Sequence, residues 1–182
     1  TKLNPFAPSK NATEKKDTWS LWFKVIVAII PSAIIGLPLD DWLDDHFHKF
    51  LPVAIMLIVY GIAFILVEKR NKGKTPKITN LTDITYQFAL IVGMFQVLSL
   101  IPGTSRSGAT ILGAILIGGS RFVATEFSFF LGIPTMFGAS LLKVVKFLLE
   151  GNSFDFSSTF ILLVGTVISF VVSILAIKFL MN

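Results

Sequence analysis

Residues 84–121 read ITYQFALIVGMFQVLSLIPGTSRSGATILGAILIGGSR, and the two apolar runs in this stretch are of unequal length. The first, residues 84–101, is uncharged, contains Gln87 and Gln96, and is long enough to enter deeply into a bilayer. The second, residues 109–118, is short. Its helical rise is about 15 Å, roughly half the hydrocarbon thickness. Arg121 follows almost at once. If the first run crossed completely, the second would have to bring the chain back to Arg121 without the length to do so. A re-entrant hairpin over residues 84–118 resolves this: the chain enters, turns at residues 102–108 inside the membrane, and returns to the side it left. Irregular backbone at that depth is tolerated only where it is buried in protein or lines a watery cavity. The turn is therefore expected to line a cavity.

The rest of the chain agrees with a membrane setting. Of its 182 residues 53% are hydrophobic and 15% charged, against about a quarter charged in water-soluble domains. The charges are segregated: residues 50–67, 84–105 and 156–177 contain no Asp, Glu, Lys or Arg. At about 20 apolar residues per span there is room for roughly five or six membrane segments. The reading is an all-α, polytopic integral membrane protein, a helical bundle forming one membrane domain over residues 1–182. Spans are expected at 19–39 (kinked at Pro31), 50–67, 122–142 and 159–180, besides the hairpin. Residues 40–48 read as an acidic, aromatic interfacial loop, and 143–158 as an outer loop.

The net charge of +5 does not point to nucleic acid, because the basic residues lie between apolar runs and read as topology signals. Residues 1–18 and the loop bearing Lys69, Arg70, Lys72, Lys74 and Lys77 are expected on the cytoplasmic side, with the acidic loop outside. With no cysteine there are no disulfides, thiolate metal sites or cysteine nucleophiles. The sequence starts without Met, shows no signal peptide and stops just after an apolar run. It is expected to be part of a longer protein.

Residues 102–110 carry the chemistry. Pro102 ends one helix, Gly103 and Gly108 free the backbone, and Thr104, Ser105, Ser107 and Thr110 surround Arg106 as a new helix begins. The N–H groups of a first helical turn and the positive end of its dipole make an anion site. Arginine adds a planar fork suited to phosphate oxygens, and the hydroxyls add donors. The competing reading is a plain serine cap with an arginine at an interface. Arginine near the centre of the apolar zone costs roughly 3 kcal/mol or more, so such residues usually mark a binding or transport path.

The stretch from Gln96 through the Pro-Gly-Thr-Ser-Arg-Ser-Gly-Ala-Thr run, and on through Gly119-Ser120-Arg121-Phe122-Val123-Ala124-Thr125-Glu126-Phe127-Ser128-Phe129, resembles the bacterial undecaprenyl-diphosphate phosphatase family, known for bacitracin resistance. The family's P-G-x-S-R-S-G signature is matched in full at residues 102–108. The resemblance implies hydrolysis of undecaprenyl diphosphate to the monophosphate in the bacterial cytoplasmic membrane, which recycles the cell-wall lipid carrier. It implies an inverted repeat with two re-entrant hairpins, of which residues 84–118 would be the second. Arg106 would hold the diphosphate, Ser105 would be a phosphate ligand or nucleophile, and Thr110 a supporting ligand. Gly103, Thr104, Ser107 and Gly108 complete the substrate-binding set. A Mg²⁺ or Ca²⁺ cofactor, a polyprenyl diphosphate and membrane lipids as partners, and either a second copy or an absent amino-terminal part also follow.

One departure matters. The family's amino-terminal E/Q-x-x-x-E element with its serine and histidine has no counterpart here, so metal ligands and the acid/base are not identified in this chain. Asp40, Asp41, Asp44 and Asp45 with His46 and His48 resemble an oxygen-ligand site for Mg²⁺, but read more simply as an acidic outer loop. Gln96 is expected to bond a neighbouring helix, and Glu126 to pair with Arg121. Gly108, Gly113, Ala114 and Gly118 read as close helix contacts. Two competing functions stand beside the phosphatase: a transporter or channel for a phosphate-like anion, since broken helices also build such sites, and a prenyl-transferring enzyme using the Asp40 cluster.

Overall fold

A computed structural model describes residues 12–47, 49–149, 151 and 155–180. Among the described residues there are six α-helices: α1 (Ala12–Phe47), α2 (Phe50–Asn71), α3 (Tyr86–Val97), α4 (Arg106–Leu116), α5 (Arg121–Leu149) and α6 (Phe156–Leu180). Short 3-10 turns at Leu81–Asp83 and Leu98–Leu100 flank α3. The chain divides into two compact units, Thr1–Met136 and Phe137–Asn182, and everything that positions the motif lies in the first.

Four of the helices are long and apolar enough to cross a membrane, through Lys15–Leu39, Phe50–Asn71, Arg121–Leu149 and Ser158–Phe179. The apolar helices Tyr86–Leu100 and Arg106–Leu116 are shorter than that. Helix α2 buries none of its residues. Phe50, Leu57, Ile58 and Ile65 stand exposed along it, a surface that suits lipid and would drive association in water. The chain is an all-α, multi-pass membrane protein.

The core of the first unit is built from helix faces in register. Leu21, Val25 and Ala28 of α1 meet Phe88, Ala89 and Val92 of α3, and Val123, Phe127 and Leu131 of α5 close the cluster at four-residue spacing. Phe88 and Phe127 meet edge to face at 6.3 Å, within the range aromatic pairs prefer. Gly93 of α3 lies against the backbone of Ala28 with no room for a Cβ. In lipid, where burial of apolar surface drives helix association weakly, such close approach supplies dispersion contacts.

Several boundaries differ from the sequence reading. Helix α1 does not end at residue 39 but runs through Pro38 to Phe47. Trp42 and His46, four apart, stack at 4.8 Å, and His46 Nδ1 lies 2.9 Å from the Trp42 carbonyl. A side chain meeting an end carbonyl prolongs the helix past the apolar run. The side chains of Asp40, Asp41, Asp44 and Asp45, and all of His48, lie outside the described residues. Helix α2 continues to Asn71, so Glu68 sits on its last turns rather than in a loop. Helix α5 continues to Leu149, its hydrophobic spacing carrying on past Lys143 and Lys146.

Candidate active site

The motif forms the turn that feeds α4. The Thr104 N–H donates to the Ile101 carbonyl at 3.1 Å, and Gly103 has φ of 91°. A Cβ at Gly103 would lie 2.7 Å from the Val53 carbonyl oxygen. Only glycine accepts both the dihedral and this approach to α2.

Ser105 then caps α4. Its Oγ accepts from the Gly108 N–H at 3.2 Å, and its carbonyl accepts from the Ala109 N–H at 2.9 Å. Helix geometry leaves the Arg106 and Ser107 N–H groups as the unpaired donors of the first turn. The Ser105 and Ser107 hydroxyls lie 3.3 Å apart, and both residues are exposed. Two N–H groups, two hydroxyls and the positive end of a helix dipole therefore share one open rim.

The remaining motif residues are held inside. Thr110 is fully buried: its Oγ1 is 2.6 Å from Ser128 Oγ on α5, and it donates to the carbonyls of Arg106 at 3.0 Å and Ser107 at 3.1 Å. Thr104 Oγ1 is buried with no partner at hydrogen-bond geometry among the described residues, and the Tyr60 phenol of α2 lies near enough to interact with it. Gly108 is buried, with Phe64 of α2 where a side chain would go. Arg106, half-buried, donates from Nη1 to the Ser128 carbonyl at 3.4 Å, and its guanidinium lies against Gly132.

Tyr60, Ser128 and Gly132 were given no role by the sequence reading. The small pair Ser128 and Gly132, four apart on one face of α5, was the available signal. Gln96 acts as a helix tie: its Nε2 donates to Ser32 Oγ of α1 at 2.8 Å and lies 3.4 Å from Thr135 Oγ1 of α5. Its Oε1 is buried without a partner among the described residues. The expected pairing of Glu126 with Arg121 is replaced by an ion pair between Arg121 and Glu68, because the return of the chain brings the end of α2 to the start of α5. Gly118 is a turn residue with φ of 99° rather than a helix contact.

No group of three or more His, Cys, Asp or Glu able to hold a metal occurs among the described residues. Hydroxyls, N–H groups and a guanidinium are partners for an anion, whereas Mg²⁺ and Ca²⁺ take carboxylate and carbonyl oxygens. Residues 102–110 do not by themselves fit a divalent cation.

Comparison with known proteins gives the same direction. Residues 3–182 match the family described as bacitracin resistance protein BacA. The chain is 71% identical to an undecaprenyl-diphosphatase of Enterococcus faecalis over 181 residues, all of this chain and 66% of that protein. It is 61% identical to that of Latilactobacillus sakei, with the same coverage, and 58% identical to that of Streptococcus gordonii, over 98% of this chain and 64% of the relative. The chain thus spans about two thirds of the length of the relatives it matches. On a match that runs through nearly every residue, the chain belongs to the bacitracin resistance protein BacA family.

Proposed function

We propose that the intact protein of which these residues are a part hydrolyses undecaprenyl diphosphate to undecaprenyl phosphate and phosphate in the bacterial cytoplasmic membrane. The observation that carries this is Arg106, half-buried at the start of α4 beside two exposed hydroxyls, in a chain 71% identical to an undecaprenyl-diphosphatase. A cation at the positive end of a helix dipole is unfavourable alone, by roughly 0.3–1 kcal/mol. An anion bound there converts both into attraction.

In the reaction an oxygen nucleophile attacks the terminal phosphorus. The bond from that phosphorus to the bridging oxygen breaks, and the monophosphate leaves with the electron pair. Arg106, the first-turn N–H groups and the Ser105 and Ser107 hydroxyls would meet the charge on the phosphoryl oxygens, where phosphoryl-transfer catalysts act most. Ser105 fits a ligand: its Oγ already accepts from Gly108 and faces Ser107, not a base. Gly103, Gly108, Thr104 and Thr110 would shape the rim from behind. No step is assigned to Mg²⁺ or Ca²⁺, whose carboxylate ligands residues 102–110 lack.

Residues 84–118 would be a re-entrant hairpin. The reading is supported by the end of α2 and the start of α5 being tied together: Glu68 pairs with Arg121, and the Lys77 N–H donates to Gly118 at 2.8 Å. The test uses the intact protein in proteoliposomes. Phosphate release from undecaprenyl diphosphate without phosphate flux is expected, whereas flux without release would establish an anion transporter instead. Lys72→Cys and Ser120→Cys should both label from the cytoplasmic side only. Outside labelling at 120 would end the hairpin reading.

A further inference from the structure

Arg106 belongs to α4, but its guanidinium rests on α5. Nη1 donates to the Ser128 carbonyl at 3.4 Å, and the guanidinium lies flat enough on Gly132 that a Cβ there would fall on Nη2, with Nη1 only 2.8 Å and Cζ only 2.9 Å away. Ser128 and Gly132 are four apart, so they share one face of α5. That face also reaches the backbone of the same arginine. Ser128 Oγ bonds Thr110 Oγ1 at 2.6 Å, and Thr110 Oγ1 bonds the Arg106 carbonyl at 3.0 Å. Thr110 is 0% exposed and Ser128 2%, so both links are shielded from water. One turn of α5 therefore grips Arg106 at both ends.

We infer that Ser128 and Gly132 are positioning residues that seat Arg106, so that α5 sets the direction in which the guanidinium faces the diphosphate. This rests on the reading of Arg106 as the diphosphate clamp. Fixing a free arginine side chain costs rotamer entropy. A seat that fixes it before substrate arrives removes that cost from the transition state. The seat uses a single N–H, in a long bond, and leaves the other guanidinium donors for phosphate oxygens. A Cβ at 132 would displace the guanidinium from this slot, because the far end of the arginine side chain is the part free to shift.

The test is made on the intact protein. Gly132→Ala should lower kcat/KM by about 10- to 100-fold, the scale of a displacement near 1 Å, mainly through kcat. Gly138→Ala, where a Cβ meets nothing within 4 Å, should leave turnover unchanged. A lysine does not fill the flat slot, so in an Arg106→Lys background Gly132→Ala should cost no more than about twofold, a coupling between contacting residues. Equal losses in both backgrounds would mean that Gly132 serves only the folding of α5, and would overturn the seat. If Gly132→Ala fails to accumulate in membranes, the double variant with Arg106→Lys should restore accumulation, and its failure to do so would equally overturn it. Full activity in Gly132→Ala with loss in Arg106→Lys would discard the seat and keep the clamp. Full activity in Arg106→Lys would discard the clamp, and the seat with it.

Discussion

The two ends of α4 are alike in composition and opposite in construction. Each is a turn with a glycine at positive φ, 91° at Gly103 and 99° at Gly118, and each holds cations. At the carboxyl end Arg70, Lys72, Lys74, Lys77 and Arg121 line an open cavity of about 790 Å³, and all five are exposed. At the amino end the cation is Arg106, half-buried against α5. The five sit where α4's dipole is negative, which suits them, and where water and salt screen them. Arg106 sits against its dipole, beside low-dielectric protein, where a fixed donor acts most strongly on developing charge. If the amino end is the reactive one, as proposed, then orientation and burial, rather than the number of positive charges, set it apart from the carboxyl end.

The largest effect expected from this contrast is the response of the two arginines to the same substitution. Arg106→Lys keeps the charge and loses the planar fork, and should cost about 100-fold or more in phosphate release, the scale of removing one oxyanion donor. Arg121→Lys should stay within about twofold, as expected for an exposed pair. Comparable losses at both positions would break the distinction between the ends.

A smaller effect should follow from the hydroxyl that ties α4 to α5. Thr110→Val keeps the shape but leaves Ser128 Oγ buried without its 2.6 Å partner. The cost should be about 1–3 kcal/mol of stability, read from detergent-solubilised melting, with an activity loss well below that of Arg106→Lys. A loss of activity as large as the arginine's, at unchanged stability, would move Thr110 from support to direct contact with substrate.

The features legible in the sequence were local ones. The short run before Arg121, the uncharged stretches and the order of proline, glycines and hydroxyls around Arg106 all lie within a few residues of what they determine. What crosses between helices was not legible. Ser128 and Gly132 are more than twenty residues from Arg106, and nothing in their spacing says which guanidinium they meet. Gln96 was assigned to a helix contact, but its partner Ser32 is 64 residues away and follows from the packing of α3 on α1. The reach of α1 to Phe47 escaped because acidic residues mark the edge of lipid, and the edge of lipid is not the end of a helix.

The smallest effect should come from Glu68→Gln. Glu68 and Arg121 form the side-chain ion pair that joins α2 to α5, with side chains 58% and 71% exposed, and pairs this open contribute about 1 kcal/mol at most. The same junction is held by bonds that salt does not weaken: the Lys77 and Ile78 N–H groups on the Gly118 carbonyl, the Ser120 N–H on the Ile78 carbonyl, and Asn71 Nδ2 on the Ile115 carbonyl at 3.3 Å. Glu68→Gln should therefore shift melting less than Thr110→Val does. The difference from the parent should shrink further as salt approaches about 1 M, where screening reaches within about 3 Å. A cost equal to that of Thr110→Val, persisting in high salt, would mean that the exposed end is as tightly built as the buried one. Burial would then no longer support the proposal that the amino end of α4 is the reactive one.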